Sequence, residues 1–226
     1  MAKIKWGMIV TDGSGKLGGH VFSKNRGGSY IRTKVTPTNP QTTFQTAVRS
    51  IFAALSSKWS ALTDANRKSY RDKVSLYSRT NVFGDLKNPS GKALHQRLNQ
   101  NLVLTGQAQL DNCPDPSDVP YAGLSAVAGS EAGGTMTITT NEDTTGSKIM
   151  VFATGSLSAG TNFVKNKLRK IGVVDGGAGA TASIQALYDA RFTAPLENAN
   201  LFVGVKIINA NGQASPIEVV RAVIGA

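Results

Sequence analysis

The stretch Thr36-Pro37-Thr38-Asn39-Pro40 decides how the chain is read, because the spacing of apolar residues changes on crossing it. Each proline removes a backbone donor and pushes the residue before it out of helical geometry, so neither a strand nor a helix runs through. Before the break, β-prone runs alternate with glycine turns: Ile4 to Thr11, Asp12-Gly13-Ser14-Gly15, Leu17 to Lys24, Asn25-Arg26-Gly27-Gly28, and Ser29 to Val35. Glycine supplies the positive φ of tight hairpins, so these runs predict a three-stranded meander. A sheet this small buries little, and it is expected to pack on the helices that follow or on a neighbouring subunit. After the break, Phe44, Val48, Ile51, Phe52, Leu55, Trp59 and Leu62 recur at steps of three and four along one face of a helix. Thr63 or Asp64 caps a second helix with Tyr70, Val74 and Tyr77 on one face. Asn88-Pro89-Ser90-Gly91 precedes a third, carrying Leu94, Leu98 and Leu102 and closing near Gly106. Phe52, Leu55, Trp59, Leu62 and Tyr70 are the expected helical core.

Further along, Asp111 to Pro120 holds three prolines, three acids and almost no apolar residue, the composition of an extended, semi-rigid linker. Beyond it short runs recur between turns: Gly123 to Ala128, Thr135 to Thr140, Lys148 to Ala153, Leu168 to Val174, Leu201 to Ile208 and Ile217 to Ile224. This rhythm predicts an all-β sandwich, with one helical turn inside Ser183 to Arg191. The expected class is α+β: a basic β-meander and helical module over 1–110, a linker over 111–120 and a sandwich over 121–226.

Charge follows the same division. The chain has a formal net charge of +11. Residues 1–104 hold 17 Lys and Arg against four acids, a net +13, whereas residues 105–226 hold eight against ten, a net −2. A basic half is expected near nucleic acid or an acidic protein surface. Lys24, Arg26, Arg32 and Lys34 surround Tyr30, and Arg67, Lys68, Arg71 and Lys73 crowd the second helix. Such groups neutralise phosphates or meet acidic protein patches, and these nine residues are the candidate contacts. One cysteine excludes an intramolecular disulfide, and two distant histidines, His20 and His95, argue against a metal centre. Met1 to Val10 carries Lys3 and Lys5 and no cleavage pattern, and no apolar run reaches the roughly 18 residues of a membrane span. Synthesis and folding in a cytoplasm are expected.

Motifs with chemistry fall short of their requirements. Gly13-Ser14-Gly15-Lys16 and Ser90-Gly91-Lys92 suggest phosphate loops, yet Leu17 and Ala93 stand where a hydroxyl must reach Mg²⁺. Gly176-Gly177-Ala178-Gly179 lacks the strand-to-helix context of a dinucleotide site. Cys113 has acidic neighbours that raise a thiol pKa, and Glu142-Asp143 sits in a turn without a partner group. A binding or assembly role without enzymatic activity, and without a cofactor, is the expectation.

Three resemblances add to this. Leu201 to Ile208, the turn Asn209-Ala210-Asn211-Gly212 and Ser215 to Arg221 look like the last hairpin of a fibronectin type III-like or immunoglobulin-like domain. Lys58 to Val74, with Trp59, Leu62, Thr63 and Tyr70, resembles the second-to-third helix junction of an HMG box over about twenty residues, which implies DNA bending through the minor groove. The longest match covers most of the chain: Gly28-Ser29-Tyr30-Ile31-Arg32, Asn39-Pro40-Gln41-Thr42, Gln45, Arg49, Phe52, Trp59, Leu62-Thr63, Arg67 and Tyr70, then Asn81-Val82-Phe83-Gly84, Ser90-Gly91, Leu94, Leu98-Asn99 and Asn101-Leu102. These residues resemble a group of proteins of tailed bacteriophages and prophages. The resemblance implies a virion structural component made in the host bacterial cytoplasm. It would be anchored to capsid, portal or tail (head–tail connector included) in many symmetric copies, and in possible contact with packaged DNA. The alternative is an architectural DNA-binding protein that uses the basic helices.

Overall fold

Two glycines set the first hairpin. Leu17 and His20 pair across Gly18-Gly19, with Gly18 at φ +55°, a backbone region that glycine reaches without strain. The computed structural model describes residues 2–128, 136–158, 160–179, 181–193 and 199–223. It is a mixed protein with four helices and antiparallel sheets among those residues, and it divides into two compact units, Met1–Leu94 and His95–Ala226.

In the first unit, β1 (Ala2–Lys3), β2 (Gly15–Leu17), β3 (His20–Asn25) and β4 (Gly28–Thr33) form one antiparallel sheet in the order β1-β4-β3-β2. A consecutive meander is present, built from β2, β3 and β4, but the predicted first strand over Ile4 to Thr11 does not form. Only Ile4 N–H continues the β1 ladder, donating to Ser29 O at 3.0 Å. The predicted turn at Asp12–Gly15 lies instead at Gly18-Gly19, so the run Leu17 to Lys24 is split between two strands.

Thr42 caps α1 (Thr43–Ala61) by accepting from Gln45 N–H, and Thr63 caps α2 (Asp64–Asp72) by accepting from Asn66 N–H. The helix predicted to carry Tyr70, Val74 and Tyr77 together stops at Asp72. A 3-10 turn, Val74–Tyr77, follows it, and its tighter winding brings Tyr77 into the core. A two-stranded hairpin, β5 (Arg79–Thr80) with β6 (Leu86–Lys87), was not legible in the sequence. Leu55, Leu62 and Tyr70 are buried, with the Trp59 and Tyr70 rings 5.9 Å apart edge to face. Phe52 is a correction: expected in the core, it is 52% exposed, and Leu55 is the buried residue of α1.

The division between units falls within α3 (Gly91–Leu104), started by Ser90 Oγ accepting from Ala93 N–H and ended at Gly106 with φ +71°. Asn99, fully buried, fixes the chain after the helix: its Oδ1 accepts from Leu110 N–H at 2.7 Å and its Nδ2 donates to Leu110 O at 3.1 Å. The proline-rich stretch is likewise not a free tether. Gln213 Oε1 accepts from Ser117 N–H at 2.9 Å, Gln213 Nε2 donates to Asp115 O at 3.0 Å, and Asn209 Nδ2 donates to Ser117 Oγ at 2.9 Å. The same turn meets α3, where Asn101 Nδ2 donates to Gly212 O at 2.8 Å. Residues predicted as the end of one module and a linker are thus bonded into the second unit.

The rest of that unit is two sheets around one apolar cluster. One contains β7 (Leu124–Ala128), β8 (Thr137–Thr140) and β11 (Thr181–Ser183) in the order β11-β8-β7. The other contains β9 (Lys148–Ala153), β10 (Arg169–Asp175), β12 (Asn200–Ile208) and β13 (Glu218–Val223) in the order β10-β9-β12-β13. Ile138 from the first sheet meets Ile149, Val151, Val203 and Val205 from the second, with Ile184 and Tyr188 beside α4 (Gln185–Asp189). The Glu218 carboxylate joins the sheets by accepting from Ala122 and Leu124 N–H at 2.6 and 3.1 Å. Thr135 and Ile224, predicted as strand ends, lie outside the described residues.

Candidate interaction surface

Residues directly opposite in an antiparallel pair share a face of the sheet, so register assigns the basic residues of the first unit to faces. Val21 stands opposite both Lys16 and Arg32, and Tyr30 opposite both Ser23 and Lys3. One face therefore carries Lys3, Lys16, Tyr30 and Arg32. Lys24 pairs with Ser29 on the other face, alongside Phe22 and Ile31. The group predicted as one cluster is divided: Tyr30 and Arg32 on one side, Lys24 on the other, and Arg26 in the exposed turn after β3. Lys34 is exposed just beyond β4. Lys3 and Lys16 were missed by reading neighbours along the chain, although the period of two in each strand carried that signal.

The second face is closed by Trp6, whose ring lies 5.8 Å from that of Phe22. Gly13 lies so close to this ring that a Cβ would stand 2.6 Å from it. Gly13-Ser14-Gly15-Lys16 thus leads into β2 beside an indole, with Gly15 and Lys16 already in the strand. Asp12 Oδ1 accepts from Gly13 N–H at 2.8 Å, so a carboxylate occupies the donor that a phosphate loop would offer. A cavity of about 330 Å³ remains between Trp6, Val10, Leu17 and Phe22.

On α2, Arg67 is half-buried and pairs with Asp64 at 2.8 Å, while Lys68 and Arg71 are exposed and Lys73 caps the helix C-terminus. Lys24 pairs with Asp12 at 3.1 Å and Lys5 with Asp85 at 3.4 Å, all four side chains well exposed. Asp12 titrates below the usual carboxylate value of 3.8, first because Lys24 donates to it and then because Gly13 N–H does. Asp85 is also lowered, first by the Asn81 side chain and then by Lys5. A depressed carboxylate stabilises the fold above its unfolded pKa and loses that contribution as pH falls through the folded value, so both contributions disappear in acid below the usual carboxylate range. In a carboxyl-observed NMR titration, Lys24→Ala is expected to return Asp12 towards the usual value further than Lys5→Ala returns Asp85. Equal responses would contradict the assigned causes.

Among the described residues, no cluster of three His, Cys, Asp or Glu side chains could hold a metal ion, and no helix is long and apolar enough to cross a membrane. His95 is fully buried, and Cys113 is only 4% exposed. What distinguishes the first unit is the distribution of apolar surface. Among the described residues it holds five buried apolar side chains, against 21 in the second unit, yet it carries 12 of the 16 large hydrophobics that stand exposed. Met8, Ile9, Phe44, Val48, Phe52, Val82 and Leu86 are among them. With 16 Lys and Arg against four acids, that surface is also strongly basic. No protein-family model matches the chain, and neither a curated protein nor a solved structure does.

Proposed function

We propose that this chain is a non-enzymatic structural protein of a tailed-bacteriophage virion, anchored to capsid, portal or tail through its basic N-terminal unit. The observation that carries the reading is the exposed apolar and basic surface of residues 1–94 beside its small core. Where large exposed apolar side chains gather into one patch, a partner surface is the usual reason. A protein present in many symmetric copies needs only modest contacts, because avidity multiplies them. The second unit is read as an immunoglobulin-like sandwich displayed by the anchor or bridging its neighbours. Its two antiparallel sheets around one apolar cluster support that reading.

The test is sedimentation of nuclease-treated particles from a culture making both virion and chain. The chain should sediment with them, and Phe52→Asp should lower its incorporation at least about tenfold with little change in melting temperature. A chain left wholly in the supernatant defeats the proposal. The exposed Lys68 and Arg71 favour a second reading, an architectural DNA-binding protein. Use of Lys68, Arg71, Lys16 and Arg32 as phosphate contacts would make affinity for duplex DNA fall with salt at a log–log slope near −3.6. The assembly reading expects weak DNA binding, and incorporation that survives at salt concentrations where DNA is released.

A further inference from the structure

Among the described residues, the most exposed large apolar side chains sit in a segment whose backbone pairs with no other part of the chain. Met8 and Ile9 are 101% and 98% exposed, and among the described residues no main-chain group of Trp6 to Thr11 makes a hydrogen bond. The segment is held at its start by Trp6 on Phe22, and Gly7-Met8-Ile9-Val10-Thr11 beyond it is exposed. Its β-branched composition suits a strand, and an unpaired strand attracts an open sheet edge.

The edges available on the chain itself differ. β1 and β2 are two and three residues long, β11 is three, and β13 is covered where Glu218 receives Ala122 and Leu124. β10 has seven residues, is paired with β9 on one side, and among the described residues is hydrogen-bonded to no main chain on the other. Charge also matches. Lys5 precedes the exposed segment and Asp12 follows it, while β10 begins with Arg169-Lys170 and ends with Asp175. Antiparallel pairing sets Lys5 against Asp175 and Asp12 against Arg169, over strands of nearly equal length, whereas parallel pairing sets like charges together. The pairs these groups make within one copy are surface pairs, worth little and readily exchanged.

We propose that Gly7–Thr11 of one copy adds as an antiparallel strand to the open edge of β10 in a second copy. The contact is head-to-tail and therefore generates a ring or a filament. The inference rests on the assembly reading above in taking the N-terminal unit as the attaching end.

Sedimentation velocity of the purified full chain across a wide concentration range tests it. The wild type should form concentration-dependent oligomers. Ile9→Pro, at a fully exposed position, removes a ladder donor and should weaken association at least about tenfold. Lys5→Glu and Asp175→Lys should each weaken it, and mixing the two variant chains should restore association, since each supplies the complement of the other. Hydrogen exchange on the wild type should show the amides of Met8–Thr11 and the outer edge of β10 protected only in the oligomer. A wild type that stays monomeric, association indifferent to Ile9→Pro, or protection that spares β10 would each overturn the proposal. A chain that associates this way yet does not sediment with particles refutes the virion reading alone. One that sediments with particles but is monomeric by itself refutes the strand addition alone.

Discussion

Gly212→Ala should lower the stability of the second unit by about 3 kcal/mol or more, with a fall in melting temperature on the order of 10 °C. Two costs combine there. Gly212 has φ +73°, where an L residue loses roughly 1–2 kcal/mol. A Cβ on it would also overlap the Leu98 carbonyl oxygen and stand 2.9 Å from the carbonyl carbon, which is helix backbone and cannot swing aside. Overpacking of that kind costs about 1–3 kcal/mol. Gly106 separates the two contributions, since it has φ +71° and nothing within 4 Å of its Cβ position. Gly106→Ala should therefore cost only about 1 kcal/mol. Gly212→Asn provides a second check: asparagine tolerates the left-handed region, so a loss close to that of alanine isolates the collision with α3. Equal losses at Gly106 and Gly212 would show that close packing of the turn on the helix contributes nothing.

Tyr70→Ala should unfold the first unit near 37 °C. Tyr70 is fully buried in a core whose other buried apolar members, among the described residues, are Leu55, Leu62, Tyr77 and Leu94. Removing a large buried ring costs about 3–5 kcal/mol, comparable with the whole stability expected of a core this size. Tyr70→Phe retains the ring against Trp59 and should cost about 1 kcal/mol. Both tryptophans of the chain, Trp6 and Trp59, lie in this unit, so tryptophan fluorescence reports on it selectively. Tyr70→Ala should show the red-shifted emission of exposed indoles while much of the β circular dichroism persists. A native emission spectrum for Tyr70→Ala would mean that the α1–α2 hairpin is held by something other than this core.

Elements set by local signals were legible in the sequence. Thr42, Thr63 and Ser90 are capping residues, the 3.6-residue period marks α1, and the Arg26-Gly27 hairpin and β12–β13 follow from alternation and turn residues. What failed depended on contacts distant in sequence. Ile4 to Thr11 has the composition of a strand, yet beyond Ile4 its main chain finds no partner among the described residues, and composition cannot reveal that. Asp111 to Pro120 reads as a linker because its residues are polar and proline-rich. It is fixed by Gln213 and Asn209, whose roles are invisible nearly a hundred positions earlier. The basic residues were identified by type, but their division between two faces required the register, and Lys3 and Lys16 join Arg32 only across strands.

The bond from Asn101 to Gly212 spans 111 residues. A ribosome adding about 5–20 residues per second makes α3 roughly 5–20 s before the turn that receives it. During that interval Leu98 and Leu102, buried in the finished protein, have nothing of the last hairpin to pack against. The second unit therefore cannot complete this contact until its last hairpin is made, and a nascent chain stalled before Gly212 leaves that face of α3 without its cover.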